Sequence, residues 1–132
     1  MPFRYTIDPE KEMLLVVAEG AINDRASISL AYGIAADPKY HPGFRMLTDL
    51  TQVTRNGLTQ VSLAQIGKIL KLTSGPRRVL VVGNLANYGV GRMYQTYCEI
   101  NGVDAPEIFW KRDDALAYLN EGTTPGKGFK EA

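Results

Sequence analysis

Residues 79–82, Val-Leu-Val-Val, constrain the fold more than any other segment of this chain. Their apolar side chains do not alternate with polar ones, which is typical of a strand buried on both faces of a parallel sheet. Segments with helical spacing lie on either side of this run, and helices that alternate with strands cover both faces of such a sheet. The sequence therefore predicts an α/β fold with residues 79–82 at the centre of its sheet.

The N-terminal segment predicts an antiparallel hairpin. Residues 3–8 alternate apolar and polar side chains, residues 9–12 form a turn, and residues 13–22 are rich in β-branched side chains. The first strand then lies at an edge of the sheet, and an exposed strand edge invites pairing with a second chain. A homodimer through this edge is therefore a structural expectation.

The segment after Pro42 predicts the third strand. Residues 44–50 fit two registers, of which one turns Leu47 and Asp49 inward and the other turns Met46 inward. The polar residues 51–57 that follow predict a loop.

Four segments with apolar residues at helical spacing predict the helices. A short strand at residues 107–110 precedes the last of them. The predicted N-caps are Asn23 or Asp24 for the first helix, Thr59 for the second and Asp113 for the last. The predicted buried faces of the four helices, in chain order, are Ile28, Ala31, Tyr32 and Ala35; Leu63, Ile66, Ile69 and Leu70; Val90, Met93, Tyr94, Tyr97 and Cys98; and Ala115, Leu116 and Leu119. The order β-β-α-β-α-β-α-β-α predicts an open, mostly parallel sheet of about five strands with four helices.

Length and composition predict one domain and exclude several classes of function. The 132 residues suit a single domain over residues 1–120, followed by a polar, glycine-rich flexible tail over residues 121–132. With 15 Lys and Arg against 14 Asp and Glu, the chain lacks the positive charge on which nucleic-acid affinity depends. One Cys and one His form neither an internal disulfide nor a His-rich metal site, so no metal and no cofactor are predicted.

The N-terminal residues carry charges where a signal peptide needs an apolar core, and the longest apolar stretch, residues 13–18, is too short to cross a bilayer. We therefore expect a cytoplasmic protein with no integral membrane association.

Several short segments resemble a known superfold. They are Asp37-Pro38 and Pro42-Gly43-Phe44-Arg45 before the third strand, Leu47-Thr48-Asp49-Leu50 along it, Gly89 and Arg92-Met93 in the third helix, and Asp114-Ala115-Leu116 in the last. Over residues 4–120 the chain resembles the STAS superfold of bacterial anti-sigma-factor antagonists. More narrowly, it is similar to a bacterial family of small stand-alone STAS-like proteins grouped with the CRAL-TRIO lipid-transfer domains. The resemblance implies a regulatory or ligand-binding module.

The resemblance also raises the question of a phosphorylation switch. In anti-sigma-factor antagonists the third strand ends in an Asp followed by a hydroxyl residue, which Asp49-Leu50-Thr51 matches. An Asp-Ser-Ser-Gly segment then presents the phosphorylated Ser, but here residues 55–59 read Arg-Asn-Gly-Leu-Thr. Thr59 is the nearest candidate phosphoacceptor and Ser62 the next, while a simple helix cap is the alternative interpretation of Thr59.

Polar and aromatic side chains cluster at two predicted strand-to-helix turns on the edge where open α/β sheets place their ligands. The candidate ligand- or partner-binding residues are Asp49, Thr51, Thr54 and Arg55 at the first turn and Tyr88, Arg92 and Tyr94 at the second. Three of these residues also have a structural interpretation in place of ligand binding: Asp49 braces its loop, Arg92 forms an ion pair, and Tyr94 packs in the core.

The chain offers no recognisable catalytic set. Cys98 falls on a buried helical stripe, and His41 has no nucleophile beside it in the sequence. We predict a non-enzymatic cytoplasmic module that binds a protein partner or a small apolar or anionic ligand, lipids included, at the C-terminal edge of the strands. The alternatives are a phosphorylation-controlled interaction switch and a small enzyme with an unrecognised site.

Overall fold

The structure, a computed structural model, describes residues 2–72 and 75–121. Its elements are β1 (Phe3–Asp8), β2 (Met13–Asn23), α1 (Asp24–Ala35), β3 (Arg45–Gly57), α2 (Gln60–Ile69), β4 (Arg78–Val81), α3 (Leu85–Ile100), β5 (Glu107–Phe109) and α4 (Arg112–Glu121). This is the order that the sequence predicts. Glu121, assigned to the tail by the sequence, ends α4, and the rest of the predicted tail lies outside the described residues.

The five strands form one sheet in the order β1-β2-β3-β4-β5. β1 pairs antiparallel with β2 and all other pairs are parallel, so the predicted α/β fold with an antiparallel edge strand is confirmed. The prediction that residues 79–82 form the centre is wrong, because β3 is the central strand and β4 is next to the edge. β4 is nevertheless buried, since helices cover it and the short β5 shields its outer side.

β3 is much longer than predicted, and residues 51–57 are strand rather than loop. β2 extends as far as Asn23 and provides the hydrogen-bonding partner, with the pairing reaching Asn23 and Gly57. The register shifts between Val17 and Glu19 and again between Gly20 and Ala21, and the pairing resumes after each shift.

Helices cover both faces of the sheet. α1, α2 and α3 pack on one face, and α4 packs on the other. The first core cluster contains Phe3, Leu14, Val16, Ala18, Ile22, Ala31, Ile34, Leu50, Val53 and Leu70, and the second contains Met13, Leu47, Val79, Val81, Ala115 and Leu119. The register of β3 is thereby settled: Leu47 and Asp49 face α4, and Met46 faces the other three helices.

The buried face of α1 differs from the predicted one. Asn23 is the N-cap, as one of the two predicted caps, and its Oδ1 accepts the backbone N–H of Ala26 at 2.9 Å. The helix buries Ser27, Ala31 and Ile34, whereas the predicted Tyr32 and Ala35 are exposed. Spacing alone left the rotation of this short helix undetermined, and its packing on β2 and α2 sets it.

α3 begins at Leu85, so its start precedes both Gly89 and Gly91. Gly91 therefore lies inside the helix, on its buried side. A Cβ atom there would lie 3.1 Å from Ile108 Cδ1 and 3.4 Å from Leu80 Cδ1, so the glycine lets α3 approach the sheet closely.

A buried asparagine ties α3 to two strands. Asn87 Nδ2 donates to the carbonyl oxygens of Leu50 at 2.9 Å and Val82 at 3.0 Å, and its Oδ1 accepts from Asn56 Nδ2 at 3.0 Å. Each polar atom of this fully buried amide is therefore paired, and the amide links the C-terminal parts of β3 and β4 to the first turn of α3.

We expect Asn87→Ala to lower the free energy of unfolding by about 2–4 kcal/mol, because it leaves two buried carbonyl oxygens without donors and opens a small cavity. Asn56→Ala, which removes one hydrogen bond to Asn87 and one from the Leu58 backbone N–H, should cost less, about 1–2 kcal/mol. Urea denaturation of both variants measures the difference, and equal costs would contradict the central role of Asn87.

Candidate functional site

Asp49 is buried near the middle of β3 and is braced on two sides. Its Oδ1 accepts the backbone N–H of Thr51 at 2.9 Å and the Thr51 hydroxyl at 2.7 Å, and its Oδ2 accepts Arg112 Nη1 at 2.9 Å. Burial alone would raise the pKa of Asp49, but the hydrogen bonds from Thr51 and the Arg112 guanidinium outweigh it and lower the pKa. The ionised carboxylate thus joins β3 to the start of α4, which agrees with the bracing interpretation.

Thr51 leaves little room at the end of the neighbouring strand. Gly83, directly after β4, has a φ of +73°, and a Cβ atom there would lie 3.1 Å from the Thr51 side chain. Glycine is needed at this position for both reasons. The side chains of Thr54 and Arg55 lie on the exposed end of β3 and do not join Asp49 in a recognition loop.

The two candidate phosphoacceptors occupy different environments. Thr59 is the N-cap residue of α2, yet its hydroxyl and its backbone N–H both bond to the carboxylate of Asp24, the N–H at 2.8 Å. Ser62 is fully buried and donates to the Thr59 carbonyl oxygen at 3.1 Å. A phosphate on Thr59 would meet the negative charge of Asp24, so these contacts favour a structural role for both hydroxyl groups.

The second predicted turn presents an apolar surface. Tyr88 stacks on Trp110 with ring centroids 5.5 Å apart, and Leu85, one helical turn before Tyr88, is 78% exposed. We call Leu85, Tyr88 and Trp110 the edge patch. Arg92 donates to Gln95 Oε1, and within the described part of the chain it has no carboxylate partner, unlike the ion pair considered from the sequence.

Tyr94 does not belong to the edge patch, because it points into a cavity between the sheet and α1, α2 and α3. The cavity measures about 110 Å³, and its walls are almost wholly apolar. Among its lining side chains are Val16, Leu30, Ile34, Leu50, Leu63 and Ile66. An engineered apolar cavity of about 150 Å³ binds benzene, so this one suits a ligand of similar or smaller size.

Two polar atoms in the cavity wall are buried without a hydrogen-bond partner among the residues that the structure describes. They are Ser27 Oγ on α1 and Arg78 Nη1 at the start of β4. Arg78 is only 7% exposed, and its Nη2 donates to the carbonyl oxygen of Asp104 at 3.3 Å. Buried polar groups are almost always paired, so an unpartnered guanidinium nitrogen here calls for a physical explanation.

Sequence reasoning missed Arg78. The sequence shows only an Arg77-Arg78 pair before a buried strand. The alternation of side chains along β4 decides which of these two arginines points into the cavity. Arg77 turns to the opposite face, where its Nη1 donates to the Tyr118 carbonyl oxygen at 2.7 Å and its guanidinium stacks over the Tyr118 ring. The sequence signal that could have identified Arg78 is strand alternation: Arg78 and Leu80 are two residues apart, so their side chains lie on the same face of the sheet.

The remaining ionisable groups near the cavity stay neutral. Burial raises the pKa of Tyr94 and of Cys98, so the phenol and the thiol keep their protons at neutral pH. A neutral thiol is a weak nucleophile, which is consistent with the inert role expected for Cys98.

Residues 2–72 and 75–121 contain no group of His, Cys, Asp and Glu side chains arranged to hold a metal ion. In the same residues no helix combines the length and the apolar character required to cross a membrane.

Comparison with known proteins identifies the fold. No family model matches the chain, and no curated protein matches it. A crystal structure of an uncharacterised DUF3478-family protein with a SpoIIAA-like fold, from Shewanella loihica PV-4, matches with a TM-score of 0.54 and 16% identity over 89% of this chain and 93% of that one. The chain therefore has a SpoIIAA-like, that is STAS-like, fold, as the sequence resemblance implied.

We expect Asp49→Asn to lower the free energy of unfolding by about 1–3 kcal/mol at pH 7, because it removes a charged acceptor from Thr51 and Arg112. The pKa of Asp49 is lowered by folding, so its contribution is complete above the ordinary carboxyl pKa of 3.8 and is lost as the pH falls through its lower folded value. Urea denaturation of wild type and variant between pH 7 and pH 3 should show this difference shrinking. Asp113→Asn, in the exposed first turn of α4, is the matched control. A difference that stays constant with pH would contradict the assignment.

Proposed function

We propose that this protein binds, without chemically transforming it, a small apolar ligand in the cavity between its sheet and α1, α2 and α3. The observation that carries the proposal is the cavity itself, about 110 Å³ in volume and lined by apolar side chains. Protein interiors rarely contain voids larger than a water molecule, because each void forfeits packing contacts. A void of this size in so small a domain is better explained by a ligand than by poor packing.

The position of the cavity differs from the ligand position that the sequence suggests. The predicted site was the C-terminal edge of the strands, whereas the cavity lies under the three helices and reaches Met46 and Arg78 near the strands' N-terminal ends. Of the candidate residues, Tyr94 alone lines it. Along β3 the cavity wall is formed by Met46, Thr48 and Leu50, the alternate residues that share one face of the sheet.

The proposal predicts saturable binding of hexan-1-ol or benzene, which cavity-lining variants should weaken. Ala31 is buried in the cavity wall, and Ala31→Leu would fill part of the space. Ala117→Leu, at an exposed position of α4 on the other face of the sheet, is the matched control. Amide chemical shifts of residues in α1 and α2 should titrate with hexan-1-ol in the wild type and the control, and at least tenfold more weakly in Ala31→Leu. Equal binding by all three proteins, or none by the wild type, would contradict the proposal.

Native mass spectrometry of the gently purified protein, followed by solvent extraction, tests for a retained natural ligand. We expect an added mass that organic solvent removes. A clean mass that no mixture of small apolar compounds shifts would count against this version of the proposal.

The edge patch favours a second candidate function, binding of a protein partner. Trp110 is 46% exposed and Leu85 more so, and aromatic side chains such as Tyr and Trp are enriched at interface centres. A photo-crosslinking amino acid at position 85 should then give a protein adduct in the native host. The same amino acid at Ile100, which is 76% exposed at the other end of α3, should give none. Equal labelling from both positions would indicate nonspecific contact.

A further inference from the structure

We propose that Arg78 is the anion-binding group of the cavity and that the ligand is a carboxylic acid with a short hydrocarbon chain. The inference rests on the proposed function, since it gives a chemical class to the ligand of the same cavity. It depends on the placement of one charge in an apolar space, and three observations carry it.

The first observation is the state of the guanidinium. Arg78 is more than nine-tenths buried and lines the cavity, and its Nη1 has no hydrogen-bond partner among the described residues. Removing a charged group from water is costly unless it is paired and hydrogen-bonded. A ligand that brings a negative charge and an acceptor oxygen to Nη1 would supply the hydrogen-bond acceptor that the described residues do not provide.

The second observation concerns the protein's own carboxylates. Asp104 is the acidic residue in contact with Arg78, but it offers its backbone carbonyl oxygen, and its Oδ2 accepts the backbone N–H of Gly75 at 3.1 Å. None of the salt bridges found among the described residues includes Arg78. The neighbouring Arg77 differs, because its Nη1 donates to the Tyr118 carbonyl oxygen and forms an ion pair with Glu121 at 3.4 Å.

The third observation is the size and polarity of the remaining wall. The other polar side chains of the cavity wall are the neutral Ser27, Thr48 and Tyr94. The Arg78 charge also acts on the neutral phenol of Tyr40 and the neutral thiol of Cys98, whose pKa values burial raises. One positive charge therefore faces a nearly apolar space. A monovalent carboxylate neutralises that charge, whereas a doubly charged phosphate monoester would leave a negative charge buried. A carboxylate is also small and matches the planar guanidinium with two parallel hydrogen bonds. The cavity volume limits the chain to a short one unless the helices move apart.

The test compares three ligands of equal chain length by isothermal titration calorimetry: hexanoate, hexan-1-ol and hexyl phosphate. For the wild type at neutral pH we expect hexanoate to bind at least tenfold more tightly than either of the other two. Arg78→Met keeps the length of the side chain and removes its charge, so hexanoate should lose that advantage while hexan-1-ol binds as before. Arg55→Met removes the same charge from the exposed end of β3 and should leave the preference intact.

The outcomes separate this inference from the proposed function. If hexan-1-ol binds as tightly as hexanoate, the cavity binds ligands and the anion-binding role of Arg78 is wrong. If hexyl phosphate binds most tightly, the carboxylate class is wrong. If none of the three ligands binds, the proposed function and this inference both fail.

A measurement without ligand checks the same assignment. Because the buried guanidinium is only partly paired in the empty cavity, Arg78→Met should melt at the wild-type temperature or above it. Arg78→Lys retains the charge without the planar fork and should keep part of the preference for hexanoate, which leaves the inference testable if Arg78→Met fails to fold. An Arg78→Met protein that binds hexanoate with wild-type affinity would overturn the inference.

Discussion

The long parallel pairing of β2 with β3 is the constraint on which the rest of the structure depends. It begins at Met13 and Arg45 and ends at Asn23 and Gly57, so both strands leave the sheet at the same level. α1 and α2 start directly after these ends, and their N-termini are therefore brought side by side. This arrangement lays α1 and α2 next to each other across one face of the sheet, where α3 completes the cover of the cavity.

The two faces of the sheet are organised differently. On the face of α4, the charged groups are satisfied by the protein itself: Asp49 pairs with Arg112, and Arg77 bonds to the last turns of α4. On the other face, Arg78 and Ser27 are buried with polar atoms that lack partners among the described residues. The face under α4 thus connects the sheet to that helix through ion pairs and hydrogen bonds. The other face contains an apolar space in which Arg78 is the charged side chain among the described residues. This asymmetry is the physical basis of the proposed ligand site.

Much of the fold could be predicted from the sequence, because hydrophobic periodicity reports directly on burial. The order of the elements, the antiparallel edge and the N-cap positions of Asn23 and Thr59 follow from local patterns. The predicted cap Asp113 is wrong, because α4 begins at Arg112 and Asp113 lies in its first turn. The extension of β3 does not, since residues 51–57 are polar and contain an Asn-Gly pair, which is a turn signal. Their strand conformation depends on β2, which pairs beside them as far as Asn23. Local sequence cannot show such a partner.

The candidate site was harder to predict than the fold. The polar residues chosen from the sequence lie near strand ends, and the structure uses Asp49 and Thr51 to brace the backbone. The cavity arises from the spacing of three helices that are distant in sequence, and Arg78 belongs to it only through the phase of a four-residue strand. Tyr94 was selected for its aromatic character, which is also the property that places it in the cavity wall.

The contact between Asp24 and Thr59 has a consequence for the motion of the two helices. Asp24 lies in the first turn of α1 and accepts hydrogen bonds from the first residues of α2, so one carboxylate interacts with the positive dipole ends of both helices. The neighbouring hydroxyl groups of Ser62 and Thr59 lower the pKa of Asp24, which keeps this charge in place over the neutral range. α1 and α2 are thereby joined at their N-terminal ends, and moving the two helices apart at that end would break the hydrogen bonds between Asp24 and Thr59.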